Sequence, residues 1–169
     1  MIFLITAIAS PRTRVIYVSQ FAEPARERMF WASVAFFLTF ALVRALTMSI
    51  RAGIGPFKNV VVGGRHIHHL VWGIALLLLV GYGWLIEIGG GAAGTSRLAG
   101  RAMAVLYGIG AALTLDEFAL WFNLKDVYWA REGRESIDAV VLFGALLSVV
   151  FWGGPFFNAL FREAGKLMH

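Results

Sequence analysis

The sequence predicts an all-α, polytopic membrane protein: a four-transmembrane-helix bundle with a peripheral N-terminal segment. Three observations predict it. Hydrophobic residues fill 59% of the 169 positions and charged residues only 15%, and the mean hydropathy is +0.74, well outside the composition of ordinary soluble domains. Four apolar stretches stand out, roughly Phe30 to Ile50, Leu70 to Ile88, Leu98 to Phe122 and Ile137 to Phe161. Each is near the ~20 residues that one helical crossing needs. Segments rich in turn residues separate them, so consecutive spans are expected to form hairpins. This predicts one integral membrane domain over residues 1–169, with no room for a separate soluble domain.

The elements follow in order. Met1 to Ser10 is apolar, and Ala7 and Ala9 mimic a cleavage site, but the run is short and lacks a basic start. It is therefore expected to be retained as an interfacial segment. Pro24, Ala25, Arg26 and Glu27 read as a helix start, because proline is tolerated in a first turn. Gly53, Gly55, Pro56, Gly63 and Gly64 break the chain before the second span, and Gly89, Gly90, Gly91 and Gly94 turn it afterwards. No Gly-Lys-Ser/Thr follows those glycines, which argues against a phosphate loop.

The third span carries Gly100, Ala104, Gly108 and Ala112 at steps of four. Small residues at that spacing let helices approach closely in lipid, within one chain or between copies in a homo-oligomer. The next member of the row is Asp116, so that acid is expected to face protein. Ser136 is placed to cap the fourth span, and Gly153, Gly154 and Pro155 are expected to kink it.

The net charge of +5 is spread singly beside the apolar spans, which points to lipid headgroups and away from nucleic acid. Arg12, Arg14, Arg26, Arg28, Arg97, Arg101, Arg162 and Lys166 fall on one side of the bundle; Arg51, Lys58, Arg65, Lys125, Arg131 and Arg134 fall on the other. The excess on the first side puts both termini in the cytoplasm of a cell with the chain in its inner (plasma) membrane. The absence of cysteine removes thiolate ligands and nucleophiles, so any metal must be held by nitrogen and oxygen.

His66, His68 and His69 open the second span, while Asp116 and Glu117 lie near the end of the third. Hairpin order brings these residues to one membrane face. An ionised group inside an apolar span costs roughly 2.5 to 3.5 kcal/mol, so such groups persist where they are paired, bind something or line a pathway. On a helix, His66 and His69 share a face. Two imidazoles with one or two carboxylates and an open position form a common catalytic metal site, suiting zinc first and iron or manganese next. Zinc would there supply a water nucleophile, with Glu117 and His68 as the catalytic acid-base candidates. No HExxH or ExxH pattern supports the site.

Arg44 lies at about the depth of the acids and is expected to pair with one of them, leaving the other for the histidines. Glu117 has the better reach as a ligand. Asp138 reads either as an acid favouring a helix start or as support behind the site. Tyr128 and Trp129 are interfacial anchors, and the alternating charges around them form a solvated loop.

The stretch Gly63 to Gly73 (Gly-Gly-Arg-His-Ile-His-His-Leu-Val-Trp-Gly), with Leu113 to Trp121 (Leu-Thr-Leu-Asp-Glu-Phe-Ala-Leu-Trp), resembles a group of small bacterial integral membrane proteins of uncharacterised function. The resemblance covers about half the chain and carries no activity to transfer. The histidines are also similar to the boxes of membrane fatty-acid desaturases, which use several such boxes where this chain has one. Three functional expectations follow. The first is a metal site of His66, His68, His69, Asp116 and Glu117, hydrolysing a lipid or lipid-linked substrate. The second is a proton-coupled transporter or pH-responsive protein, and the third a non-catalytic membrane assembly subunit.

Overall fold

Proline at a first turn and glycine past a last one govern where the first helix runs. The computed structural model describes residues 17–19, 21–58, 61–63, 65–88, 96–124, 134–148 and 151, with 61, 62, 65 and 66 described by backbone alone. Helix α1 (Pro24–Arg51) starts at an extended Glu23, with Pro24 in its first turn. It ends in a Schellman closure, Gly53 N–H donating to Ile50 O at 3.1 Å and Ile54 N–H to Ser49 O at 2.9 Å, with Gly53 at φ 67°. A short antiparallel ladder follows, β1 (Val61–Val62) against β2 (Arg65–His66).

Helix α2 (His69–Leu85) closes as α1 does, with Glu87 N–H on Trp84 O and Ile88 N–H on Gly83 O. Its left-handed residue is Glu87, at φ 64°, where glycine would carry no steric penalty. Helix α3 (Arg97–Asp116) begins under the Ser96 hydroxyl, which accepts from Ala99 N–H at 3.1 Å. After a break at Glu117 the chain continues as α4 (Phe118–Asn123), and a fifth helix, α5, covers residues 134–148.

Helix α3 is central among the described elements, packing on α1 and on α2. It runs parallel to α1, since Glu27 meets Arg101 near one end and Arg44 meets Asp116 near the other. It runs antiparallel to α2, whose His69 meets Asp116 and whose Gly83 faces Met103. Helix α5 lies along α1, with the Phe36 and Phe143 rings 5.0 Å apart. The core at this junction is Phe36, Ala111, Ala112 and Val140.

Gly108 is the closest seat of α1 on α3: a side chain there would run into the Ala32 carbonyl and stand 2.9 Å from Phe36 N. The small-residue face that the sequence offers for self-association is, at this position, filled by α1 of the same chain. On the far side, a Cβ at Gly110 would stand 3.1 Å from Gly73 O of α2.

Helices α1 and α3 are long and apolar enough to cross a membrane, and α2, with 17 residues, is a shorter apolar helix. The outer surface is apolar as well: Leu42, Leu78, Leu98 and Leu142 are each about 70% exposed. The expected third span, Leu98 to Phe122, is not one helix. Glu117, at φ −110° and ψ 26°, ends α3 and starts α4, because its side chain is drawn sideways to the start of α2. The expected fourth span is helical over 134–148, and the Gly153, Gly154 and Pro155 kink lies outside the described residues, as do the glycine turn at 89–94 and residues 1–16.

Two alanine substitutions separate close packing from helix propensity. Gly108→Ala must push α1 from α3 and is expected to lower stability by about 1 to 3 kcal/mol. Gly81→Ala, in the same fold but with nothing within 4 Å of the new atom, is expected to raise it by up to about 1 kcal/mol. Thermal unfolding in detergent reads both.

Candidate functional site

The first amides of an α-helix have no partner within the helix and need one from elsewhere. At the start of α2 the residue before the helix, His68, makes no side-chain cap. The cap comes from another helix: Leu70 N–H donates to Glu117 Oε2 at 2.9 Å. Glu117 therefore sits at the positive end of α2, where its charge is favoured. Its other oxygen, Oε1, lies 2.7 Å from His68 Nδ1. A ring N–H at that position donates to the carboxylate oxygen.

Asp116, one residue earlier, is fully buried. Its Oδ2 lies 3.0 Å from His69 Nε2, and its Oδ1 is in ion-pair contact with Arg44 Nε. Arg44 also donates from its terminal nitrogen to the Asp116 carbonyl at 3.3 Å, so one guanidinium answers both the side chain and an open carbonyl at the end of α3. His69 bridges the two acids, because its Nδ1 lies 3.5 Å from Glu117 Oε2. The histidine side chains keep about a fifth of their surface exposed (21% and 22%), while the carboxylates beneath them are buried. The site thus runs from an accessible imidazole layer to a closed carboxylate layer, with a cation below.

Neighbouring backbone breaks are closed in the same way. Ser136 is not the cap of its own helix, as the sequence suggests. It lies within α5, is buried, and its hydroxyl accepts from Ala119 N–H of α4 at 2.9 Å. Asn123 donates to Glu135 at 2.7 Å, tying the end of α4 to the same helix.

The structure brings His68, His69, Asp116, Glu117 and Arg44 together. It does not place His66 on a helix with His69: His66 sits in the β2 ladder opposite Val61, and its side chain lies outside what is described. Asp138 is exposed on α5, and no described hydrogen bond or ion pair joins it to the histidines or their acids. Among the described residues, no three His, Asp or Glu side chains form a group that could hold a metal ion.

A second polar cluster, at the other end of the bundle, has no sequence motif. Glu27, buried in the first turn of α1, accepts from the Tyr17 hydroxyl at 2.5 Å and from Arg101 Nε at 2.9 Å. Trp31 Nε1 donates to the same tyrosine oxygen at 2.8 Å. Partial burial and the bond to Glu27 raise the Tyr17 pKa above its ordinary value, so the phenol remains a donor. Glu27 and Arg101 are 74 residues apart; only the helix-start signal at Pro24 to Glu27 hinted that this acid sits at a terminus.

Arg44→Met, which leaves Asp116 as a buried carboxylate without its cation, is expected to lower stability by about 3 to 5 kcal/mol. The double variant Arg44→Met/Asp116→Asn is expected to recover at least half of that loss, which denaturant titration in detergent micelles measures. No family model, no curated protein and no solved structure matches this chain, so its own residues alone carry the reading of the site.

Proposed function

We propose that this chain is a four-span, multi-pass protein of the inner (plasma) membrane whose histidine end responds to protons. The observation that carries the reading is His69 bridging two adjacent buried carboxylates, beside a second imidazole on one of them. A neutral ring donates through one nitrogen, whereas an imidazolium also turns a charged N–H toward Glu117, which His69 Nδ1 faces at the ion-pair distance of 3.5 Å. Taking up a proton therefore tightens α2 onto the end of α3, and losing it releases one contact. Helix ends joined by such a group form a two-state element that pH can bias. Asp116 keeps Arg44 as its partner in both states, so the proton changes the histidine layer without stranding the deeper charge.

Support for the membrane setting comes from the two long apolar helices and the leucine-covered outer surface. A contiguous apolar exterior is a partner-seeking surface in water and an ordinary one in lipid. The arginines at the starts of α1 and α3 favour the cytoplasm for that end, which puts the histidine layer on the outer face.

A rival reading keeps a divalent metal, zinc ahead of iron or manganese, on His68, His69, Asp116 and Glu117, with hydrolysis of a lipid-linked substrate as its chemistry. The nearness of two imidazoles to two carboxylates brings it to mind, but among the described residues no three of these side chains form a group that could hold a metal ion. Arg44 weighs against it, because Asp116 already has a cation at contact distance and a dication beside it would meet repulsion.

Trp72 lies one turn into α2 and is 59% exposed, so it reports on this junction. In reconstituted protein whose other five tryptophans are replaced by phenylalanine, its emission is expected to change on acidification, and His68→Gln/His69→Gln is expected to abolish the change. A response that survives in the double variant overturns the proposal. Stoichiometric metal in the wild type, lost in that variant and unaccompanied by any pH response, replaces it with the rival.

A further inference from the structure

An apolar groove of about 460 Å³ runs between α1 and α5, within the ~300 to 1,000 Å³ of ordinary ligand sites. Phe30, Val34, Phe37 and Leu38 form one wall, and Leu147 and Phe151 the other. Its two hydroxyls are turned back on their own helices, Ser33 donating to Met29 O at 2.8 Å and Ser148 to Gly144 O at 2.9 Å. The lining thus presents hydrocarbon and suits an occupant with no polar groups along its length.

The mouth of the groove is different. Arg26, one helical turn before Phe30, holds its guanidinium carbon 5.3 Å from the centre of the Phe151 ring. Its Nε is buried and, among the described residues, has no hydrogen-bond partner. The acid beside it in sequence, Glu27, is engaged by Arg101 and Tyr17. Arg28 and Arg97 add positive charge at this end of the bundle.

We propose that this groove binds an anionic phospholipid, with its phosphate on Arg26 and one acyl chain between α1 and α5. Three features select that occupant. The cation and the trough are collinear along α1, with the trough extending about 12 Å from Phe30 to Leu38 at 1.5 Å per residue. A molecule filling both must carry an anion at one end and an apolar chain parallel to the helix axis. Arg26 Nε has no hydrogen-bond partner among the described residues, and a phosphate is an acceptor of matching charge and geometry for a guanidinium. The position of Arg26 at the basic end is the level at which anionic headgroups lie in the orientation proposed above. The inference rests on the membrane reading of the chain, but not on the proton response.

The test uses the full chain in non-ionic detergent, mixed with equal amounts of dioleoyl phosphatidylglycerol and dioleoyl phosphatidylcholine and examined by native mass spectrometry. Phosphatidylglycerol is expected to be retained about fivefold over phosphatidylcholine, the preference that one cation at a headgroup provides. Arg26→Gln is expected to bring the two lipids to parity while Arg26→Lys keeps the preference, and Val34→Trp, which fills the trough, is expected to reduce retention of both. Equal retention by the wild type, a preference that survives Arg26→Gln, or retention untouched by Val34→Trp overturns the proposal. A lipid-free dimer that Val34→Trp dissociates overturns it in favour of a second copy as the occupant. Carbonate extraction of cell membranes tests the membrane reading separately: a chain released by it was never embedded, whatever lipid it binds in detergent.

Discussion

Two adjacent carboxylates at the end of a helix cannot both point the same way, and each needs partners when surrounded by apolar side chains. Asp116 continues the α3 helix and faces inward, where Arg44 of α1 meets it. Glu117 leaves the helix and reaches the Leu70 amide of α2. The three longest described helices are joined at that one dipeptide. A carboxylate without compensation in such surroundings is strongly unfavourable, so the break after Asp116, the start of α2 and the depth of Arg44 are consequences of one requirement.

The bundle has a polar cluster at each end, and the two differ in kind. Around Glu27 the donors are a guanidinium, a phenol and an indole, none of which loses its proton near neutral pH. Around Asp116 and Glu117 two of the donors are imidazoles. The first end behaves as a fixed clamp holding α1, α3 and residue 17 together. The second is built on imidazoles, each with two ring nitrogens that can face a partner. The central crossings at Gly108 and Gly110 are tight, so a change at one end meets rigid packing before it reaches the other.

Much of this was legible in the residues. The small-residue row ending at Asp116 pointed that acid toward protein, and hairpin order brought His68 and His69 to it. The depth of Arg44 identified it as a partner for one of the acids. What the pattern could not show was that Glu117 would cap a helix to which it does not belong, because capping across a fold leaves no trace in spacing. The expected third span is broken at that residue, and the second begins at His69, leaving His66 in the preceding ladder. The Schellman closure of α2 was equally hidden, since Glu87 occupies a position where glycine is the usual signal. Pairs such as Glu27 and Arg101 are set by which helices run parallel, a property of the assembled bundle.

The separation of 72 residues between Arg44 and Asp116 also fixes an order of events during synthesis. Helix α1 leaves the ribosome before its counter-charge has been translated. In a bilayer it would hold a lone guanidinium at a cost of roughly 2.5 to 3.5 kcal/mol, offset by the rest of a long apolar helix. The later helix would then bring the acid to it. Early insertion of α1 would thus be provisional, and the arrival of α3 would make it permanent. The contact that fastens α1 to the end of α3 thus waits on residue 116, although its arginine is made 72 residues earlier.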